Sequence, residues 1–207
     1  MTPDQAAERQ AEVLGHGPRL EPLRPDELDA SALAMYERIR AIANRDLVQR
    51  TLENLPEVVG TMLRHPALFE QYTSTGIALA ITGTLPPFDR ELAVLRIGWL
   101  CGAPYEFGEH VFLAKDQGIG SEQVAAVKRG SNDPIWTPHQ RAVLSAVEEL
   151  HADAMITDAT WALLAATYDD RQLIELPMLV GHYQQTAYVQ NTLRLRLHRG
   201  NKGLLAG

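Results

Sequence analysis

Apolar residues return every third or fourth position over most of the chain and nowhere alternate convincingly with polar ones, so the pattern predicts helices throughout. Leu33, Tyr36, Ile39 and Ile42 mark the apolar face of a helix that starts near Leu28 and ends near Asn44. After a less regular stretch from Asp46 to Arg64, His65-Pro66 opens a second helix, with Leu68, Phe69, Tyr72 and Ile77 available for burial before Gly83. Proline suits that first turn, where a backbone N–H has no helical partner anyway. Thr84-Leu85-Pro86-Pro87 breaks the pattern. A third helix, capped or charged at its start by Asp89, carries Leu92, Leu95 and Leu100 to Gly102, and a fourth begins at Pro104 and stops at Gly118. Ser121 caps a short helix that halts at Gly130. Thr137-Pro138-His139-Gln140 joins a first-turn proline to a Thr-x-x-Gln capping box and predicts a helix running to about His151. Thr157 or Asp158 caps the next, and Asp170 opens a last long helix through Leu173, Leu176, Leu179, Tyr183 and Tyr188 to about Leu197.

The expected fold is all-α, a compact bundle of about seven to eight helices forming one domain over residues 26–200. Residues 1–25 mix charge with Gly15, Gly17, Pro18, Pro22 and Pro25 and read as a loosely held N-terminal arm. Asp89-Arg90-Glu91-Leu92 and Asp170-Arg171-Gln172-Leu173 open two apolar helices alike, which either a duplication or the preference of acids for helix starts explains.

Composition narrows the function. With 207 residues and 45% hydrophobic content, the chain can bury a core without staples. A net charge of −7 argues against a nucleic-acid partner, because such binders rely on clustered cations. The basic run Arg194, Arg196, His198, Arg199 and Lys202 is assigned to a solvated or subunit-facing end. Met1–Gly17 has no apolar signal core, and no apolar run approaches the ~20 residues of a membrane span, so a cytoplasmic protein without membrane contact is expected. Cys101 is the one cysteine, which excludes an intramolecular disulfide, a dithiol redox cycle within one chain and a cysteine-based zinc site.

The chemistry concentrates between Leu85 and Ile119. Glu106 and His110 are four apart, on one face of the fourth helix and able to meet, while Glu91 and Arg96 come from the helix before it. A carboxylate beside an imidazole relays a proton near neutral pH, and general acid–base work is its natural use. Arg96 can hold a substrate carboxylate bidentately or pair with Glu91 or Glu106, and Tyr105 can donate to a carbonyl. Glu-x-x-x-His alone also fits a satisfied interhelical pair. Glu109 points about 100° off the Glu106–His110 face, so a metal site is not expected. His182, beside Tyr183, either reaches the same pocket or is core; Cys101 is either a small buried hydrophobe or a nucleophile served by His110. Gly98 and Gly108 interrupt apolar helices and mark close helix approach or room for a ligand.

The string Leu85-Pro86, Arg90-Glu91-Leu92-Ala93-Val94-Leu95-Arg96, Tyr105-Glu106-Phe107, His110 and Gly118-Ile119 resembles carboxymuconolactone decarboxylases and their alkyl hydroperoxidase D-like relatives. The peroxidase branch uses a Glu, a Cys-x-x-Cys pair and a His. Here Glu91 and His110 match, but Ala103 and Glu106 occupy the two cysteine positions, and Cys101 is out of register. The decarboxylase branch is the better match through Tyr105-Glu106-Phe107 and His110. The resemblance implies a carboxy-lyase without metal or cofactor, acting on a small lactone carboxylate or oxo-acid of aromatic-compound catabolism. In that expectation His110, Glu106 and Glu91 are catalytic, and Arg96, Tyr105, Cys101 and His182 line the substrate. A hydrolase of a small lactone or ester and a non-catalytic binding protein are the alternatives. The resemblance also implies a homo-oligomer (trimer, hexamer or dimer), in keeping with apolar residues on both sides of the last helix.

Overall fold

A computed structural model describes residues 1–42 and 55–207. The expected helix end at Asn44, the burial expected of Ile39 and Ile42, and the first part of the 46–64 stretch lie outside the described residues. The described residues form ten α-helices and no strand, somewhat more helices than the periodicity predicts. They are α1 (Pro3–Leu14), α2 (Ala30–Ile42), α3 (Glu57–Met62), α4 (Pro66–Ile77), α5 (Pro87–Leu100), α6 (Pro104–Asp116), α7 (Ser121–Arg129), α8 (Pro138–Asp153), α9 (Asp158–Ala165) and α10 (Asp170–Leu193). A π-helical segment, Ala78–Thr82, extends α4, and a 3-10 turn, Gly203–Leu205, packs near the C-terminus. No helix among the described residues is long and apolar enough to cross a membrane.

Local chemistry accounts for most boundaries. Thr137 accepts from the Gln140 N–H while the Gln140 side chain returns to the Thr137 N–H, the predicted capping box, with Pro138 in the first turn of α8. Asp169 and Gln172 start α10 in the same way. Asp89 does not cap α5. It lies inside the first turn, buried, and its Oδ2 accepts from His139 Nε2 at 2.8 Å and from the Tyr168 hydroxyl at 2.7 Å.

The arrangement is built around α5. Leu92, Ala93, Leu95 and Ile97 are wholly buried, and α6, α7, α8 and α10 pack around the helix. Leu144, Val147, Leu164, Leu176 and Leu179 from the surrounding helices complete this main core. A smaller cluster joins α2 to α4 through Ala32, Met35, Tyr36, Leu63 and Phe69. Leu33 and Leu68, expected inside, are exposed.

The stretch expected to be a loose arm contains α1. Thr2 and Gln5 form a capping box, Ala6 and Val13 are buried, and Gln10 Oε1 accepts from the Leu204 N–H at 2.8 Å. Only two of its residues are buried, so apolar periodicity is too sparse to announce it. The C-terminal turn is held from the other side by Lys128, whose ammonium donates to the carbonyls of Leu204 (3.2 Å) and Ala206 (2.6 Å) and lies over the rings of Trp99 and Phe107.

Close approach, rather than room for a ligand, explains Gly108. Asn201 Nδ2 donates to the Tyr105 carbonyl at 2.9 Å and to Glu109 Oε1 at 2.7 Å, so the C-terminal segment lies directly on α6. A Cβ at Gly108 would run into the Asn201 side chain and meet the Gly203 backbone nitrogen at 2.8 Å. Gly108→Ala should therefore destabilise the fold by about 1–3 kcal/mol in chemical denaturation, although the same change normally gains ~1 kcal/mol within a helix. A stability gain would show that the C-terminal segment does not pack there.

Candidate active site

The α5–α6 turn sets the geometry. Gly102 adopts φ +54°, and the backbone N–H groups of Gly102 and Ala103 bond to the carbonyls of Trp99 (3.0 Å) and Gly98 (2.9 Å). With α5 closed off in this way, Pro104 starts α6 at once and folds it back along α5. Glu91 on α5 thereby meets His110 on α6.

His110 Nδ1 and Glu91 Oε2 are 2.8 Å apart, and both residues are buried, at 9% and 4% exposure. Glu91 Oε1 accepts from Arg90 Nε at 3.2 Å, and Arg90 Nη1 donates to the Ala80 carbonyl at 3.3 Å. Burial raises the Glu91 carboxyl, but the hydrogen bond and charge of His110, reinforced by Arg90, outweigh it and hold the group below the usual carboxylate range. Glu91 is thus ionised and accepts a hydrogen bond from Nδ1–H, which leaves Nε2 of His110 as the atom for acid–base work.

Glu106 departs from expectation. It does not bond His110; its carboxyl is fully buried, and neither oxygen has a hydrogen-bond partner. Burial pushes its pKa well above the ordinary value, so it stays protonated where exposed carboxyls are ionised. Two carboxyls one helix apart are consequently driven in opposite directions, as acid–base sites require.

Aromatic rings pack against the Glu91–His110 pair. The Tyr183 ring meets the His110 ring edge-on at 5.0 Å and the His182 ring at 5.5 Å, and His182 stacks on Tyr72 of α4 at 4.8 Å. The Tyr72 hydroxyl bonds Thr186 Oγ1 at 2.6 Å. Burial, opposed by the Thr186 hydrogen bond and aided by the neighbouring Glu106, pushes the Tyr72 hydroxyl up to about 12. Burial, then Glu106 and Glu91, raise Tyr183 as well, and burial lowers His182, so all three rings are neutral near pH 7.

The other expected residues fall elsewhere. Arg96 lies five residues from Glu91, about 140° around α5, and faces the opposite side. There its guanidinium bonds Glu148 (2.9 Å) and the Val127 carbonyl (2.7 Å). The expectation that Arg96 converges with Glu91 and His110 is corrected on that ground. Tyr105 turns toward the C-terminal segment, with its ring edge-on to His198 at 6.4 Å. Cys101, half-buried past the end of α5, has its sulfur 4.0 Å from His151 Nδ1 rather than near His110. Burial, helped by Glu106 and opposed by Arg9, pushes its thiol up to about 12, which does not favour a nucleophile. Arg90 and Tyr72 were not expected at the site from the sequence. Adjacent helical residues do not normally face one another, so Arg90-Glu91 carried no spacing signal. Among the described residues no group of three or more His, Cys, Asp or Glu side chains is placed to hold a metal.

Residues 66–149, which include Tyr72, Glu91, Glu106 and His110, match the Carboxymuconolactone decarboxylase family. Beyond that segment, the likeness to known proteins is one of fold, shared with AhpD-like, peroxidase-related structures. An uncharacterized peroxidase-related protein from Silicibacter sp. TM1040 superposes with a TM-score of 0.72 at 13% identity, over 90% of this chain and 95% of that one. A peroxidase-related protein from Ralstonia eutropha JMP134, described as an alkylhydroperoxidase AhpD core, gives 0.68 at 17% identity over 83% and 90%. A cysteine-to-alanine variant of the debrominase Bmp8, in complex with 2,3,4-tribromopyrrole, gives 0.70 at 14% identity over 92% and 97%. These are likenesses of fold. No curated protein matches the sequence.

A carboxyl raised by burial binds its proton more tightly folded than unfolded, so its contribution is fully present below the ordinary pKa and is lost as pH climbs toward the raised value. Glu106→Gln should therefore lessen the fall in stability between pH 4 and pH 8, read as urea midpoints across that range. An unchanged pH dependence would mean that Glu106 is compensated in the folded protein.

Proposed function

We propose that this protein is a cofactor-independent carboxy-lyase acting on a small lactone carboxylate or oxo-acid. The observation that carries the reading is Glu106: a fully buried carboxyl without a hydrogen-bond partner, on the helix that carries the Glu91–His110 pair. An unsatisfied buried carboxyl costs a folded protein free energy, typically about 1–3 kcal/mol, and such costs concentrate where chemistry needs the group. The family match over residues 66–149 adds to it.

In the proposed reaction the bond between the substrate's carboxylate and its α-carbon breaks. Carbon dioxide leaves, and the electron pair stays on the carbon, delocalised into the adjacent carbonyl. Neutral Glu106 donates to the oxygen that gains charge, a stabilisation strengthened by the dry surroundings. His110, held by ionised Glu91, delivers a proton from Nε2 to the carbon, and solvent restores it. Arg90 keeps Glu91 ionised. Aromatic-compound catabolism supplies substrates of this class. Self-association belongs to the same proposal, since Phe112 and Leu113, just beyond His110 on α6, remain exposed for a second copy to cover.

The test is carbon dioxide release from a panel of lactone carboxylates and oxo-acids, with His110→Ala, Glu91→Gln and Glu106→Gln beside the wild type. Each substitution should lower kcat at least ~10²-fold with circular dichroism unchanged. Turnover indifferent to all three would overturn the reading, and ester or lactone hydrolysis without carbon dioxide would replace the lyase by a hydrolase.

A further inference from the structure

Outside the acid–base cluster, α4 with its π-helical extension and α10 enclose a groove of about 450 Å³, lined by Ser74, Thr75, Ala78, Arg171, Ile174 and Met178 among others. On α10, Arg171, the pair Ile174 and Glu175, Met178 and His182 recur at spacings of three and four, so they form one stripe. The α4 side carries Ala78, Thr75 and Ser74 in the opposite order, ending at Tyr72 against His182. A Cβ at Gly76 would meet His182 Nε2 at 3.1 Å, so the imidazole sits directly between the two helices, one turn past Met178. The groove therefore runs from Arg171 to Met178, about 10 Å along α10, and His182 and Tyr72 lie just beyond its inner end. Through Tyr183, the His182 ring adjoins the cluster around His110.

Its chemistry is asymmetric. Ile174 and Met178 are exposed at 63% and 56%, an apolar stretch that leaves water poorly satisfied. Glu175, one turn from Arg171 and a natural i, i+4 partner, is engaged elsewhere: its oxygens accept from the Thr84 N–H and hydroxyl and from the Leu85 N–H. Among the described residues nothing pairs with the exposed Arg171 guanidinium, so a planar fork of donors stands at one end of an apolar trough. The π-helical segment supplies Ala78 and Leu79 to the α4 wall, and such interruptions recur at binding sites.

We infer that this groove is a binding site for an amphipathic monocarboxylate of the medium-chain fatty-acid type. The carboxylate is held by Arg171, and the apolar chain lies across Ile174 and Met178 with its end toward His182. The charge of Glu175 sets a limit on affinity, because it partly offsets the field of Arg171, and the chain supplies the remainder through burial. The site goes beyond the lyase reading and does not depend on it.

Calorimetric titration of the full chain with decanoate, with acetate and 1-decanol as controls, tests it. Decanoate should bind at one saturable site, acetate should not, and 1-decanol should bind at least ~10-fold more weakly than decanoate. Arg171→Gln should weaken decanoate ~10-fold or more and leave 1-decanol unchanged, and Met178→Glu should abolish both. His110→Ala should bind decanoate as the wild type does, so failure of the lyase reading leaves this result standing. No decanoate binding, or binding indifferent to Arg171→Gln and Met178→Glu, would overturn the site. So would light scattering that shows a wild-type oligomer dissociated by Met178→Glu without decanoate binding, since a second copy would then cover the groove.

Discussion

A helix surrounded on all sides cannot leave a buried charge unanswered, and α5 has three such groups: Asp89, Glu91 and Arg96, each at most 8% exposed. Each is satisfied by a different neighbour. Asp89 draws in His139 from the start of α8 and Tyr168 from the segment between α9 and α10; Glu91 takes His110 from α6; Arg96 takes Glu148 from α8 and a carbonyl from the end of α7. The desolvation cost of these groups is offset only when the surrounding helices sit at particular positions, so the polar contacts select one packing among those that hydrophobic burial alone would tolerate. Of the three, only the contact at Glu91 includes an imidazole with a second nitrogen left for other work.

The helical architecture was legible because its punctuation is strong. Pro66, Pro87, Pro104 and Pro138 all lie in first turns, and Gly102, Gly118 and Gly130 all stand at positive φ beside helix ends. The site was legible in its membership and less so in its pairings. Glu106 and His110 share a face as the spacing requires, yet the imidazole turns to Glu91, because an ionised carboxylate supported by Arg90 is a stronger acceptor than a carboxyl that burial keeps protonated. No spacing rule within one helix contains that competition between helices. The 140° separation of Glu91 from Arg96, by contrast, was arithmetic available from the sequence. The capping box of Thr2 and Gln5 was likewise present, but with two buried residues α1 has almost no periodic signature, and the glycines and prolines after it dominate the composition.

Glu91 and Glu106 illustrate how one fold maintains two protonation states within a small volume. Neither residue type nor burial distinguishes them, since both are nearly inaccessible; the difference is whether cations and donors are present. Glu91 has His110 and Arg90, whereas Glu106 has no donor and lies near aromatic rings. The core around the pair is therefore part of its chemistry. The rings of Tyr72, His182 and Tyr183 exclude water without offering Glu106 a hydrogen bond.

The contact between α1 and the C-terminal turn also bears on how the chain reaches this structure. Gln10 is anchored by the backbone of Leu204, a separation that spans nearly the whole sequence. A contact between residues 194 apart in sequence gains little until the segments between them are ordered, because closing so long a loop costs entropy first. With only Ala6 and Val13 buried, α1 has little to stabilise it alone. Its docking on the C-terminal turn therefore depends on the helices around α5 having packed first.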